Sequence, residues 1–246
     1  MRTIKIEILY PEFNNLYGDR GNLMYLKEKL SKSSCRLEVI ETHLYDAPAF
    51  ASEEIDFLYI GPCTERQQEL QLTQLYPYKE ALQKRMEGDC ITLATGNAFE
   101  LFGEYIEREN GEKIPALGLF PYHAKRFERL RFNDLCVGIY ADMQITGFKN
   151  QLSHSYGVVD SPFLQMERGS GINPDSKTEG VCVNHFYATY LIGPILPLNP
   201  DFTDFLLKGL LKEDYVPLSL PFEDFAYACR IADLTRPEPK KKKKHG

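Results

Sequence analysis

The sequence lacks a long apolar run and an excess of positive charge, and each absence removes a class of protein. No segment approaches the ~18 consecutive apolar residues that a membrane-spanning helix needs. The formal net charge of -6 argues against a general nucleic-acid binder. We therefore expect neither a membrane span nor a nucleic-acid partner.

The sequence also lacks a C-x-x-C pair and any cysteine spacing typical of a metal site, so we predict no metal and no other bound cofactor. The first residues, 1–8, alternate apolar and polar side chains, which is a strand pattern rather than a signal peptide. We expect a cytoplasmic protein with reduced thiols. The cysteines are Cys35, Cys63, Cys90, Cys136, Cys182 and Cys229.

What is present is an ordinary globular composition, with 43% hydrophobic and 26% charged residues in a chain of 246. This length suits one sizeable domain. We place that domain at residues 1–236. Residues 237–246 contain the run Lys240–Lys244, and we predict a disordered basic tail because like charges repel one another.

The first part of the chain alternates strand and helix patterns, with a Pro77 break between two helices. This alternation predicts a three-layer α/β fold, in which helices cover both faces of a mostly parallel sheet. The predicted strands are 4–10, 36–42, 55–60 and 91–94, and the predicted helices are 22–30, 65–75 and 78–87.

After Gly103 the pattern changes to short strands separated by Gly, Pro and Asn, which predicts an antiparallel extension of the same core. Asn110-Gly111 is a strong hairpin signal. Asn199 and Pro200 suit the cap and first position of a helix. The predicted later elements are strands near 137–140, 143–148, 157–159, 180–183 and 185–191, and a last helix at 222–234.

The segment 91–103 has the layout of a nucleophile elbow. A buried strand, Ile91–Ala94, meets a tight glycine-containing turn, and Phe99 begins a predicted helix. Such a turn projects one side chain above a parallel sheet. The residue at the turn is Gly96, which has no side chain to project.

Five short segments in order resemble class I glutamine amidotransferases of the cobyric acid synthase type, and most closely the glutaminase subunits of lipid II isoglutaminyl synthases. The likeness covers nearly the whole chain. The segments are Leu16-Tyr17-Gly18-Asp19-Arg20-Gly21-Asn22, Gly61-Pro62-Cys63-Thr64-Glu65-Arg66-Gln67, Gly118-Leu119-Phe120, Glu128-Arg129-Leu130 and Thr189-Tyr190-Leu191-Ile192-Gly193-Pro194-Ile195-Leu196-Pro197.

The resemblance implies a cysteine at the elbow that attacks the side-chain amide of glutamine, and a histidine that activates it. It also implies a Mur-ligase-like partner that uses ATP and the released ammonia to amidate the D-glutamate of lipid II. The matching positions hold Gly96 and Ile192. Neither residue can accept or donate a proton, although this chemistry needs a thiolate and a base.

We interpret these substitutions as a degenerate catalytic site. Gly96 keeps a turn that other residues adopt only with strain, and Ile192 can fill the emptied cleft. Asn97-Ala98 replaces the usual Gly-Gly, which puts the oxyanion-binding arrangement in question. The first hypothesis is therefore a binding module that partners a Mur-ligase-like enzyme.

Two alternatives remain open. Cys63, at the end of the third strand, could act as a relocated nucleophile with His123, His154 or His185 as its base, whereas Cys90 is expected to pack in the core. Alternatively, Arg129 could grip the carboxylate of glutamine and make the domain an amino-acid sensor.

The resemblance places Arg129 and Gly61 at substrate-contacting positions. For Arg129, a solvated strand face is the structural alternative. Asp19, Asn22 and Arg66 could be functional, but a helix cap and a surface ion pair would explain them equally well.

Overall fold

The computed structural model of the protein describes residues 2–216 and 221–236. It contains strands β1 Thr3–Leu9, β2 Arg36–Thr42, β3 Phe57–Ile60, β4 Ile91–Thr95, β5 Tyr105–Glu107, β6 Lys113–Pro115, β7 Tyr122–Arg126, β8 Phe132–Tyr140, β9 Met143–Gln151, β10 Ser153–Gly157, β11 Leu164–Arg168, β12 Thr178–Glu179, β13 Val181–Val183 and β14 Phe186–Thr189. Its helices are α1 Gly21–Ser31, α2 Glu65–Leu75, α3 Lys79–Glu87, α4 Ile195–Leu198, α5 Pro200–Leu211 and α6 Pro221–Leu234.

The central sheet has six strands in the order β13-β14-β4-β3-β1-β2. All neighbours pair in parallel except β13, which runs antiparallel to β14 at one edge. The strands β3 and β4 are buried along their whole length. Such continuous burial is expected when helices cover both faces of a parallel sheet.

The two faces of the sheet carry separate apolar cores because successive side chains of a strand point to opposite sides. In β3, Leu58 and Ile60 join the core under α2 and α3. Phe57 and Tyr59 join the core under α1 and α5. The predicted three-layer α/β fold with a mostly parallel sheet is confirmed.

Two further sheets, in the orders β10-β7-β5-β6 and β12-β11-β8-β9, form the predicted antiparallel extension. Pairing of β5 with β6 confirms the hairpin at Asn110-Gly111, and β5 pairs with β7 in parallel. The strand expected around Gly157-Val158-Val159 ends at Gly157, so that prediction is wrong for its last two residues.

Two local predictions need correction. The segment after the elbow is a 3₁₀ helix, Gly96–Phe102, that already begins at the turn, rather than a helix from Phe99. Helix α5 begins at Pro200 as expected, but the Asn199 side chain does not cap it. Instead, the Asn199 amide bonds to the backbone N–H and C=O of Thr146, which fixes α5 to β9.

Within residues 2–216 and 221–236, no helix is both long and apolar enough to cross a bilayer. The same part of the chain contains no cluster of His, Cys, Asp or Glu able to hold a metal ion. The predicted basic tail, 237–246, lies outside the described residues, and the domain limits of 1–236 stay a prediction.

Candidate functional site

A pocket of about 100 Å³ lies where the carboxyl ends of four central strands meet. Its lining includes Tyr17 from the loop after β1, Cys63 after β3, Gly96 after β4 and Ile192 after β14. Parallel α/β sheets place their binding sites at this edge because the connecting loops converge there. The topology therefore brings the elbow and the segment carrying Ile192 to one site.

The backbone at Gly96 has a φ of +61°, in the left-handed region that favours glycine. A Cβ built on Gly96 would lie 2.6 Å from Pro62 Cβ and 3.1 Å from Ile192 Cγ2. A side chain at Gly96 would thus meet both backbone strain and occupied space. The elbow has the expected sharp turn, but the volume above it is filled.

Ile192 closes this side of the pocket. Its side chain is buried, and its backbone forms an antiparallel bridge with Phe148. The Ile192 N–H donates to the Phe148 carbonyl at 3.0 Å, and the Phe148 N–H donates back at 3.1 Å. The side chain is held between the sheet edge and β9, and it carries no group that could transfer a proton.

The Asn97 side chain spans the turn and pairs with the backbone of Cys63. The Cys63 N–H donates to Asn97 Oδ1 at 3.0 Å, and Asn97 Nδ2 donates to the Cys63 carbonyl at 2.8 Å. The Asn97 carbonyl in turn accepts from Gln68 Nε2 at 2.7 Å. Because Asn97 engages it, the Cys63 N–H is not free to stabilise an external oxyanion.

Cys63 lies in the pocket wall, as expected from its place after β3. Burial raises the pKa of its thiol to about 12, and the nearby Glu100 and Glu65 add to the shift. At neutral pH roughly one thiol in 10⁵ would be the reactive thiolate. In the described part of the chain, no histidine lines this pocket.

The three candidate bases lie elsewhere or are otherwise engaged. His123 stacks on Tyr105, and His154 packs against Phe132 with a ring separation of 3.8 Å. His185 lies just before β14, at the end of that strand opposite the pocket. Cys90 is buried in the core, as expected.

A second part of the pocket lining, the polar wall, is internally hydrogen-bonded and includes Glu100 of the 3₁₀ helix that begins at the elbow. Glu100 Oε2 accepts from Gln68 Nε2 at 3.0 Å, and its Oε1 accepts from the Ser153 hydroxyl. Gln68 Oε1 accepts from Arg126 Nη2 at 2.8 Å, and Arg126 Nη1 pairs with Glu69 at 2.8 Å. Burial raises the pKa of Glu100, which Ser153, Arg126 and Gln68 partly oppose.

Residues 5–200 match the CobB/CobQ-like glutamine amidotransferase domain, which is most of the chain. The chain belongs to this family.

Two relatives are lipid II isoglutaminyl synthase (glutamine-hydrolyzing) subunits GatD. The protein from Staphylococcus aureus (strain N315) is 26% identical over 206 residues, covering 82% of each chain. The protein from Streptococcus pneumoniae (strain ATCC BAA-255 / R6) is 27% identical over 234 residues, covering 94% of this chain and 89% of the relative.

A crystal structure of a glutamine amidotransferase has the same fold. It superimposes with a TM-score of 0.53 at 13% sequence identity, covering 83% of this chain and 98% of the other. At this level of identity the likeness supports the fold of the CobB/CobQ-like domain but not a particular activity or substrate.

The predicted substrate-contacting residues of this CobB/CobQ-like domain do not line the pocket. Arg129 is exposed in the loop after β7. Gly61 is buried beside the pocket, where a Cβ would lie 2.9 Å from the Asn14 carbonyl oxygen and 3.1 Å from Asp19 Oδ2. Its missing side chain permits close packing of the loops after β1 and β3.

Arg126 is the buried arginine of this wall, and sequence reasoning missed it. The signal was the alternation in β7, where Tyr122, Ala124 and Arg126 are buried and Lys125 is exposed. A strand pattern with period 2 over 122–126 would have placed Arg126 on the inner face. Gln151 and Ser153 had no comparable signal, because a single polar residue in a short strand is usually exposed.

Asp19 and Asn22 tie the loops together below the elbow. Asp19 Oδ2 accepts from the hydroxyl groups of Tyr59 and Thr95. Burial raises the pKa of Asp19 to about 6. Asn22 donates to Tyr59 OH at 3.1 Å and accepts from the Leu196 N–H at 2.8 Å. These contacts give Asp19 and Asn22 a structural role in joining the loops. Arg66 is exposed and does not take part in these contacts.

Proposed function

We propose that this chain is a cytoplasmic, catalytically degenerate glutamine amidotransferase-like subunit. In this proposal it binds a Mur-ligase-like, ATP-dependent enzyme that amidates the D-glutamate of lipid II. The two GatD relatives are named as subunits of a glutamine-hydrolyzing lipid II isoglutaminyl synthase, which supports the assignment to peptidoglycan metabolism.

The observation that carries the proposal is the filled space above Gly96. Hydrolysis of an amide by this type of site needs a thiolate at the elbow, a base beside it and donors for the oxyanion. The Gly96 Cβ position is blocked by Pro62 and Ile192. Asn97 also engages the Cys63 N–H. In the described part of the chain no histidine lines the pocket. Together these features support a site that does not hydrolyse glutamine.

A relocated thiol is less well supported. Cys63 lies in the pocket, but its pKa of about 12 keeps it protonated. A base would have to reach the Cys63 sulfur directly or through one water to generate the thiolate. His123 and His154 are instead packed against Tyr105 and Phe132. These features favour a subunit that binds its partner over one that supplies ammonia.

The proposal can be tested by co-expressing the chain with a Mur-ligase-like protein from the same organism, purifying the complex and assaying lipid II amidation. We expect the complex to amidate lipid II with ATP and an ammonium salt, and to give no product when L-glutamine is the only nitrogen source. The chain should also co-purify with its partner in a fixed ratio.

The Staphylococcus aureus relative with its own partner serves as the control, because its name states that it hydrolyses glutamine. Glutamine-dependent amidation by the complex of this chain would overturn the degenerate reading. Failure to associate with any Mur-ligase-like protein would overturn the assignment of the partner.

A further inference from the structure

The polar wall of the pocket contains two hydrogen-bonding atoms that have nothing to bond to. Arg126 and Gln151 both line the pocket, and each residue is only 7% exposed. Arg126 Nε and Gln151 Oε1 find no partner among the described residues. A buried polar atom without a partner costs about 1–3 kcal/mol, so native proteins rarely leave one unexplained.

The other atoms of these side chains are fixed. Both terminal nitrogens of Arg126 are engaged, by Glu69 and Gln68. Gln151 Nε2 donates to the Ser153 carbonyl. In the pairing of β7 with β10, Ser153 lies directly opposite Arg126. The free donor and the free acceptor are therefore held in neighbouring positions of one rigid wall.

The loop after β1 and the loop before β8 meet at the pocket through Tyr17 and Arg131, which both line it. Arg131 Nη1 donates to Tyr17 OH at 2.9 Å and to Asn150 Oδ1 at 2.6 Å. Tyr17 has a φ of +62°, which costs a non-glycine residue energy. Breaking this contact would free the Arg131 guanidinium for a ligand.

We propose that this pocket binds a small α-amino acid without cleaving it. The carboxylate accepts hydrogen bonds from Arg126 Nε and from Arg131. The ammonium group donates to Gln151 Oε1, with the Glu65 carboxylate as its counter-charge. This site is distinct from the Arg129 position, and it rests on the proposed function because it assumes a pocket that no longer hydrolyses glutamine.

The size of the pocket narrows the ligand. A volume of about 100 Å³ has room for about seven water-sized groups. Serine and alanine match that size, whereas glutamine is larger. The inferred ligand class is therefore a compact zwitterion with a short side chain.

Isothermal titration calorimetry on the full-length protein tests the inference, with L-alanine, L-serine, L-asparagine and L-glutamine as probes. Lactate lacks the amino group and ethanolamine lacks the carboxylate, so these two are controls for each end of the ligand. We expect binding of L-serine or L-alanine, weaker binding of L-glutamine, and no binding of either control.

Two variants identify the site. Gln151→Met removes the free acceptor at similar volume, and Arg126→Lys removes Nε while keeping the charge. Each should raise Kd for L-serine at least tenfold. The matched controls are Gln144→Met, on the same strand but bonded to Glu167, and Arg108→Lys, which shares Glu69. Both controls should leave Kd unchanged within about twofold, and unfolding midpoints verify that every variant folds.

Three results would overturn the inference. They are the absence of binding of all four amino acids, binding of lactate as tight as that of L-serine, and a rise in Kd for L-serine with Gln144→Met that equals the rise with Gln151→Met. Binding of L-glutamine alone would overturn the size argument. Ammonia released from L-glutamine in the same samples would instead overturn the proposed function. If no amino acid binds and no ammonia is released, the proposed amino-acid site is wrong but the proposed function is not contradicted.

Discussion

The two walls of the pocket differ in how their side chains are accommodated. On the elbow side, Pro62 and Ile192 close over Gly96, and burial keeps the neighbouring Cys63 thiol protonated. In the polar wall, Glu100 and Arg126 are buried within a chain of hydrogen bonds through Gln68. Burying a charged group costs free energy unless the group is paired. The polar wall therefore depends on its hydrogen bonds and ion pairs more than the elbow side does.

This difference separates two tasks that an amidotransferase pocket combines. Cleaving an amide depends on the elbow wall, where proton transfer and oxyanion stabilisation occur. Holding a small polar molecule depends on the polar wall, where charged groups are fixed in place. Our proposal therefore assigns binding, rather than bond cleavage, to a pocket with a filled elbow and an organised polar wall.

The largest expected effect concerns the reactivity of Cys63. Because its pKa is about 12, its thiolate fraction at neutral pH is about 1,000-fold lower than that of an ordinary thiol. We expect iodoacetamide to modify the exposed Cys229 first and Cys63 at least 1,000-fold more slowly. Peptide mapping by mass spectrometry measures both rates.

The unfolded chain in urea provides the control, since both cysteines should then react at similar rates. Rapid modification of Cys63 in the native protein would contradict the description of the elbow side as unreactive. It would instead favour the alternative in which Cys63 acts as a relocated nucleophile.

The second prediction addresses the filled space above the elbow. Gly96→Ala combines left-handed strain with overpacking against Pro62, and we expect a loss of about 2–5 kcal/mol in the free energy of unfolding. Gly111→Ala is the matched control, because Gly111 also has a positive φ of +85° but open space around it among the described residues. It should lose only about 1–2 kcal/mol.

Urea denaturation of both variants measures the difference. Equal losses at the two glycines would show that backbone strain alone explains Gly96, and that the volume above the elbow is not filled.

The third prediction concerns pH. The folded pKa of Asp19, about 6, lies above its ordinary value of 3.8, so the folded protein keeps a proton that the unfolded chain loses. The stabilisation is fully present below about pH 4 and is lost as the pH rises to about 6, by roughly 3 kcal/mol. Asp19→Asn should remove this part of the pH dependence.

Unfolding free energies at pH 4 and pH 7 for the wild type and Asp19→Asn give the comparison. Buried acids such as Glu7 and Glu100 have pKa values shifted in the same direction, so only the difference between the two proteins is diagnostic. An unchanged dependence in the variant would assign the effect to those other acids.

The smallest expected effect is at Asn97. Asn97→Ala removes the two hydrogen bonds to the Cys63 backbone, and we expect a loss of about 1–2 kcal/mol. Asn133→Ala, at an exposed position of β8, should change stability by less than about 0.5 kcal/mol. Thermal unfolding of both variants would show whether Asn97 links the two loops; equal effects would contradict that role.

The sequence predicted the central sheet well because its inner strands β3 and β4 are short apolar runs and β1 and β2 alternate apolar and polar residues. Ile91–Ala94 and Phe57–Ile60 could be recognised by that pattern alone, and Gly96 stood out because an elbow needs a side chain. The short strands β7, β10 and β11 lack such runs. Their partners come from distant segments, so local propensity could not define them.

The polar wall was not predictable for the same reason. Arg126 and Arg129 both lie in a basic segment, and the resemblance favoured Arg129, which is exposed. Which arginine points inward depends on the register of β7 with β10. Ser153 lies opposite Arg126 because of that tertiary pairing, and Gln151 is placed by the separate pairing of β9 with β8; neither pairing has a signature in the sequence.

The most direct test of the central claim is ammonia release from L-glutamine by the purified wild-type protein, alone and with the proposed Mur-ligase-like partner. The Staphylococcus aureus relative is measured in parallel. The filled elbow predicts no ammonia above the level without protein under conditions where the relative turns over. Sustained release that follows the purified chain through successive columns would contradict it.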